Sequence, residues 1–183
     1  MKKYELTAEF IEKWGKKLFR IKALIGFGSV EAGELGGYVE KEDNLAQNGN
    51  AWVFDDAEVY GNARVYGNAE VYGDARVYGD AEVYGNARVY GDAWVCGNAD
   101  YLLIGRIGSR FSFTTFFKNK DKGITVSCGC FLGTIAEFRA KVTDTHGNNK
   151  HAKMYNLAAD MAELQILGEE HFDKLNTNKS EPF

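Results

Sequence analysis

The chain reads as mainly β: a coil of very short strands, preceded by a helical cap and followed by a ββαα unit. Three observations carry this reading. The first is a fixed period of six. From Asp56 to Gly97 the sequence is seven tandem hexads, DAEVYG, NARVYG, NAEVYG, DARVYG, DAEVYG, NARVYG and DAWVCG, and no helical surface repeats at that interval. The second is the placing of Ala and Val two apart in each hexad, as in Ala63 and Val65, which turns both to one face of a strand and Arg64 to the other. The third is Gly beside Asn or Asp at the hexad boundaries. That pair best tolerates a left-handed backbone, so each hexad is one short strand and one bend. Successive turns then close their hydrogen bonds on one another, stacking Ala on Ala and Val on Val along a narrow interior.

The outward residue alternates in sign along the hexads: Glu58, Arg64, Glu70, Arg76, Glu82, Arg88. An even number of hexads per turn would stack like charge on like. Three hexads, eighteen residues, set Glu58 against Arg76, Arg64 against Glu82 and Glu70 against Arg88, so a triangular coil is expected. Each exposed pair contributes about 0.2 to 1 kcal/mol and each buried Val roughly 1.5 to 3 kcal/mol, so charge selects the register while burial holds the coil together. The same stacking puts Asp56, Asp74 and Asp92 in one column. With no bidentate carboxylate, that column reads as water-bridged rather than as a cation site. Tyr60, Tyr66, Tyr72, Tyr78, Tyr84 and Tyr90 form short ladders on the corners, an apolar, hydroxyl-tipped surface suited to a contact between subunits.

A coil of strands leaves an unpaired edge at each end, which has to be covered. Thr7 as N-cap, followed by Phe10, Ile11, Trp14 and Leu18 at helical spacing, predicts an amphipathic helix over residues 7–17 within a cap of residues 1–24. The coil itself is expected over residues 25–103. Beyond it, RFSFTTFFK, the turn NKDKG and ITVSCGCF read as two strands of a hairpin. Thr134 with Glu137 forms a capping box that opens a helix with Ile135, Phe138 and Val142 inward. HGNN breaks it, and Met154, Leu157, Met161 and Leu164 make one stripe of a second helix ending about Gly168. Residues 104–168 are thus a ββαα unit, and residues 169–183 a loose tail.

The hexads resemble the left-handed parallel β-helix of the hexapeptide-repeat, acyltransferase-like superfamily. The lead-in LFRIKALIGFGSVEAGELGGYVEKEDNLAQNGNAWVFDDA, Leu18 to Ala57, is similar to the opening of transferase-like bacterial proteins and of small hexapeptide-repeat proteins of phages and prophages. IGSRFSFTTFF, CGCFLGT and THGNNKHA resemble the C-terminal part of the phage-associated type. This resemblance implies a left-handed coil, a homotrimer or higher oligomer, and the cytoplasm of a bacterial host cell.

Composition narrows the function classes. The 183 residues are 45% hydrophobic and 26% charged with one proline, which excludes a disordered chain. No apolar run approaches the roughly 18 residues of a membrane span, and Met1-Lys2-Lys3-Tyr4-Glu5 opens no signal sequence, so a soluble chain without membrane partners is expected. Twenty-two basic against twenty-six acidic residues, net −4, argue against bulk binding of nucleic acid. Three cysteines fit reduced thiols.

Acyl transfer in the resembled enzymes uses a histidine in or beside the coil. His146, His151 and His171 all lie beyond it, so no catalytic base is placed in the repeats and no catalytic residue is assigned. His146 and His151, five apart across a helix break, make a poor zinc pair, so neither metal nor cofactor is expected. Cys128 and Cys130 share a strand face with Ile124 and Val126 and read as packing residues, the alternative being a thiol nucleophile or soft metal ligand with His146. Cys96 stands where its hexad should have tyrosine, a tolerated outer substitution.

On the hairpin, alternation separates Phe111, Phe113 and Phe117 from Arg110, Ser112, Thr114 and Lys118. The latter face, extended by Thr125 and Ser127 and approached by Arg106, Ser109 and His146, offers cations and hydroxyls of the type that hold phosphate oxygens. The solvated sheet face is the plainer alternative. The expected function is a non-catalytic oligomeric binding protein that sequesters an anionic small molecule such as a nucleotide. Given the phage resemblance, its specific form is a sponge for a nucleotide signal of host defence. An acyl-CoA transferase and a purely structural or protein-interaction module are the alternatives.

Overall fold

The computed structural model describes residues 1–170 and divides into two compact units, Met1–Asn98 and a second beginning at Ala99. The tail expected from residue 169 lies, from residue 171 onward, outside the described residues.

The first unit is a β-solenoid of about three turns. Strands β1 (Tyr4–Lys13), β2 (Lys16–Ala23) and β3 (Leu35–Val39) lead into eight two-residue strands: β4 (Trp52–Val53), β5 (Glu58–Val59), β6 (Arg64–Val65), β7 (Glu70–Val71), β8 (Arg76–Val77), β9 (Glu82–Val83), β10 (Arg88–Val89) and β11 (Trp94–Val95). They form three sheets, ordered β1-β2-β3-β5-β8-β11, β10-β7-β4 and β6-β9. Parallel pairing joins Glu58 to Arg76, Arg64 to Glu82 and Glu70 to Arg88, the partners that charge alternation selects. Their charged atoms lie 3.6, 3.9 and 2.8 Å apart. Every hexad alanine from Ala51 to Ala93 and every valine from Val53 to Val95 is fully buried. Gly36 and Gly37 of the lead-in are required by close approach, because a side chain at either would run into the carbonyl of Val53 or Ala57.

The N-terminal helix expected over residues 7–17 is absent, and this is a correction. β1 and β2 are antiparallel, with Ile11 opposite Leu18 and Lys13 opposite Lys16. Trp14 and Gly15 turn between them at φ +53° and +73°, the double left-handed geometry of a two-residue hairpin loop. Phe10, Ile11, Trp14 and Leu18 fall at helical spacing by coincidence, and the X-Gly turn at position 15 was the overlooked signal. The physical reason lies at the solenoid edge. A helix has spent its backbone groups internally, whereas β2 pairs antiparallel with β3, whose other side pairs with β5.

The same edge is completed by side chains. From Ala69 onward, each hexad alanine carbonyl accepts from a backbone N–H of an earlier hexad, as from Trp52 to Ala69 and from Glu58 to Ala75. Tyr38 N–H serves Ala57. At Ala63 and Ala51 that role falls to Asn44 Nδ2 at 2.7 Å and to Lys3 Nζ at 2.8 Å.

The second unit is a four-stranded antiparallel sheet in sequence order, β12 (Tyr101–Ile107), β13 (Ser112–Lys118), β14 (Ile124–Cys128) and β15 (Phe131–Thr134), with helices α1 (Ile135–His146) and α2 (Lys150–Leu167). Two strands beyond the expected hairpin are therefore present. β12 straddles the expected boundary between residues 103 and 104, and β15 follows a tight Gly129-Cys130 turn. The Thr134–Glu137 capping box forms as expected, with Thr134 N–H donating to Glu137 Oε2 at 2.8 Å. Phe116, Val126, Phe138, Val142, Tyr155 and the alanines of α2 make the core. The stripe Met154, Leu157, Met161 and Leu164 does not join it: these residues are 39, 64, 56 and 45% exposed.

Candidate functional site

The second unit holds a pocket of about 200 Å³. Its rim comes from Ser109 and Arg110 in the β12–β13 loop, Ser112 at the start of β13, and Lys141, Thr145 and His146 on α1. The floor is Phe131, Phe138, Val142 and Tyr155, with Cys128 and Cys130 on either side of Gly129. Among the described residues no carboxylate lines it, in a chain of net charge −4. Lys141 is shared with Asp144 at 3.2 Å. Among the described residues Arg110 has no carboxylate partner.

Each wall has a local cause. Gly108, at φ +73°, brings the loop so close to the Tyr155 hydroxyl that any side chain there would overlap it. Gly129, at φ +61°, turns β14 into β15, and a Cβ there would sit 3.6 Å from an Arg110 guanidinium nitrogen. The floor is an aromatic cluster: Phe138 meets Tyr155 and Phe116 edge-on at 5.6 and 5.7 Å and Phe131 at 5.5 Å. His146 stacks on Tyr155 at 5.7 Å. Burial, together with the neighbouring Cys128 thiol, pushes the Tyr155 phenol up to about 12, so it is a neutral group at every physiological pH. The Cys128 sulfur also takes a hydrogen bond from Thr114 Oγ1 at 3.2 Å. The arrangement can bind: it offers an apolar floor for a flat or compact body, and cations and hydroxyls at the mouth for an anionic group.

Of the residues expected to hold a ligand, Ser109, Arg110, Ser112 and His146 come together here. The others do not. Arg106 lies on β12, exposed and outside the pocket. Thr114 is buried beneath it against Cys128, and Lys118 pairs with Asp100 at 3.0 Å. Thr125 and Ser127 are a correction: cross-strand register places Thr125 opposite Phe117 and Ser127 opposite Thr115, on the other sheet face from Ser112 and Thr114. The expected polar face of β13 is in fact the one the helices cover, through Phe116 and Val126. Thr115-Phe116-Phe117 puts an aromatic on each face, so alternation alone could not rank them. Phe111, expected inward, is 69% exposed at φ +49° in the loop.

Sequence reasoning missed Lys141, Thr145 and Tyr155. Phe138, Lys141, Val142 and Thr145 follow helical spacing on α1, the only signal that joined any of them to a site. In the first unit the aromatic ladders are present. Trp14, Tyr60 and Tyr78 stack at 5.1 and 5.2 Å, Phe54, Tyr72 and Tyr90 at 4.2 and 4.5 Å, and Tyr66 on Tyr84 at 5.3 Å. Asp56, head of the aspartate column, pairs with Arg20 at 3.1 Å. No cluster of three metal-ligating side chains occurs among the described residues, and no described helix is long and apolar enough to cross a membrane.

Fold and pocket together define the class: a β-solenoid protein carrying a separate α/β unit with a cation-rimmed cavity. Residues 57–71 and 81–97 are similar to the YdcK beta solenoid repeat. No curated protein matches the chain.

Proposed function

We propose that this protein binds a small anionic molecule without transforming it, in the pocket of the second unit. The observation that carries the reading is a cavity with an aromatic floor, Arg110, Lys141 and His146 at its mouth, and no carboxylate among the described residues of its lining. At about 200 Å³ it is below the usual volume for a whole drug-sized ligand, so it would enclose one anionic or aromatic portion of a ligand such as a nucleotide. In its most specific form, resting on the phage resemblance, the protein is a sponge for a nucleotide signal of host defence. The scaffold is proposed as a left-handed, three-sided coil with eighteen residues per turn, a reading supported by its three sheets and by the eighteen-residue offset of its paired hexads.

Calorimetry with a panel of cyclic nucleotides, ADP-ribose derivatives and aromatic carboxylates tests this. At least one class is expected to bind, and Arg110→Ala to weaken it about tenfold or more, the loss of one charge-assisted contact. Heat from no member of the panel sinks the proposal and favours a structural module, the reading that the stacked aromatic and amide columns of the solenoid support.

A further inference from the structure

Helix α2 breaks two local rules at once. Its inward face is built largely of alanine, Ala152, Ala158, Ala159 and Ala162 with Tyr155 and Ile166, while its large flexible residues point out. Those outward residues, Met154, Leu157, Met161 and Leu164, are spaced three, four and three apart, the narrow two-per-heptad seam of a paired helix rather than the broad face of one packed on a core. The charges are also reversed with respect to the helix dipole. Lys150 and Lys153 are exposed in the first turn, where no acid is present; no base lies in the last turn, and exposed Glu169 and Glu170 follow Gly168.

We infer that α2 is the seam of a homodimer, packed antiparallel against α2 of a second copy of this chain. Setting Met154 beside the partner's Leu164 and Leu157 beside the partner's Met161 closes the apolar stripe on itself. That register sets Lys150 across from the partner's Gly168, next to Glu169 and Glu170 beyond the helix end, so the basic start of one helix meets the acidic end of the other, and the opposed dipoles align favourably. A parallel pair would set like charge beside like. The four side chains expose roughly 400 Å² per copy, about 800 Å² for two before the polar flanks are added, which makes a small and dissociable contact. The seam lies across the helix from Tyr155, so it leaves the pocket untouched and stands or falls apart from the ligand proposal. It is also distinct from the tyrosine columns, whose rings already stack on one another within the chain.

Sedimentation equilibrium of the full chain from about 1 to 300 μM tests the seam, a range that brackets a contact of this size. A reversible dimer is expected, with Leu157→Lys/Met161→Lys at least tenfold weaker and its circular dichroism and melting unchanged, because both residues are exposed. Leu157→Gln serves as the milder variant if the double substitution unfolds. Glu169→Lys/Glu170→Lys is expected to weaken the dimer, and adding Lys150→Glu/Lys153→Glu to restore it. A monomer throughout the range, a dimer indifferent to the substitutions at 157 and 161, or a charge reversal that fails to restore would each overturn the inference. Ligand calorimetry on the monomeric variant reports on the pocket separately.

Discussion

Lys3 shows how one side chain serves an unfinished edge. It is 2% exposed, its ammonium donates to the Ala51 carbonyl at 2.8 Å and it lies 4.7 Å from the centre of the Phe27 ring. Among the described residues no carboxylate answers it, and burial lowers its pKa from 10.5 to about 8. Between those values the unfolded chain holds the extra proton, so this group makes stability rise with pH from about 8 toward 10. Burial pushes the Tyr60 phenol up to about 12, which acts the other way: its contribution is full below its ordinary pKa of 10 and is lost as pH rises through 12. Denaturant titrations across this span should therefore show stability increasing from pH 8 and falling again in strong alkali, with the first rise flattened in Lys3→Met. Equal stability of the wild type at pH 8 and 10 would refute the assignment. Inside the solenoid, Val77→Asp is expected to abolish folding, since an unpaired charge would replace a fully buried methyl pair. Glu70→Gln keeps the shape and an accepting oxygen beside the half-exposed Arg88, and should cost only about 1 to 2 kcal/mol. Melting curves in the reverse order would invert the inside and outside assignments.

At the scale of elements, the N-terminal hairpin carries the lesson. Its place as a cover for the coil was legible, because every stack of strands needs one, but its conformation was not. The residues that suggested a helix, Phe10, Ile11, Trp14 and Leu18, also fit two strands joined at Trp14-Gly15, and the choice between the periods is made by the pairing that β3 offers to β2. Gly15 has open space around its Cβ position, so a side chain there meets no clash and pays only for its φ of +73°. Gly15→Val is accordingly expected to lower stability by about 1 to 2 kcal/mol through the backbone alone, with Gly15→Asn costing less. Thermal melts that rank the two equally would show that the turn is not held in this geometry. Helices α1 and α2 were legible through their caps and breaks, at Thr134, Glu137 and the HGNN stretch. The outward turn of the Met and Leu stripe on α2 was not, since periodicity locates a stripe but does not say what faces it.

For the molecule as a whole, the repeat determined by itself the inward valines, the outward direction of the charges, the register of Glu58 with Arg76 and the aromatic columns, but not the burial of Glu58, which Lys13 of the hairpin covers. Those properties follow from local geometry copied at each hexad, where the side-chain period and the bend residues leave one consistent stacking. The pocket was only half legible. Ser109, Arg110 and Ser112 are neighbours in sequence, and their cation and hydroxyls could be read from it, but Thr125 and Ser127 were assigned to the wrong face and Tyr155 was invisible. Which face of β13 is core depends on the helices that arrive later in the chain, and the contact of Gly108 with the Tyr155 hydroxyl joins residues 47 positions apart. Tertiary structure alone decided these, because a cavity is the space left between elements, and no single element encodes its neighbours' approach.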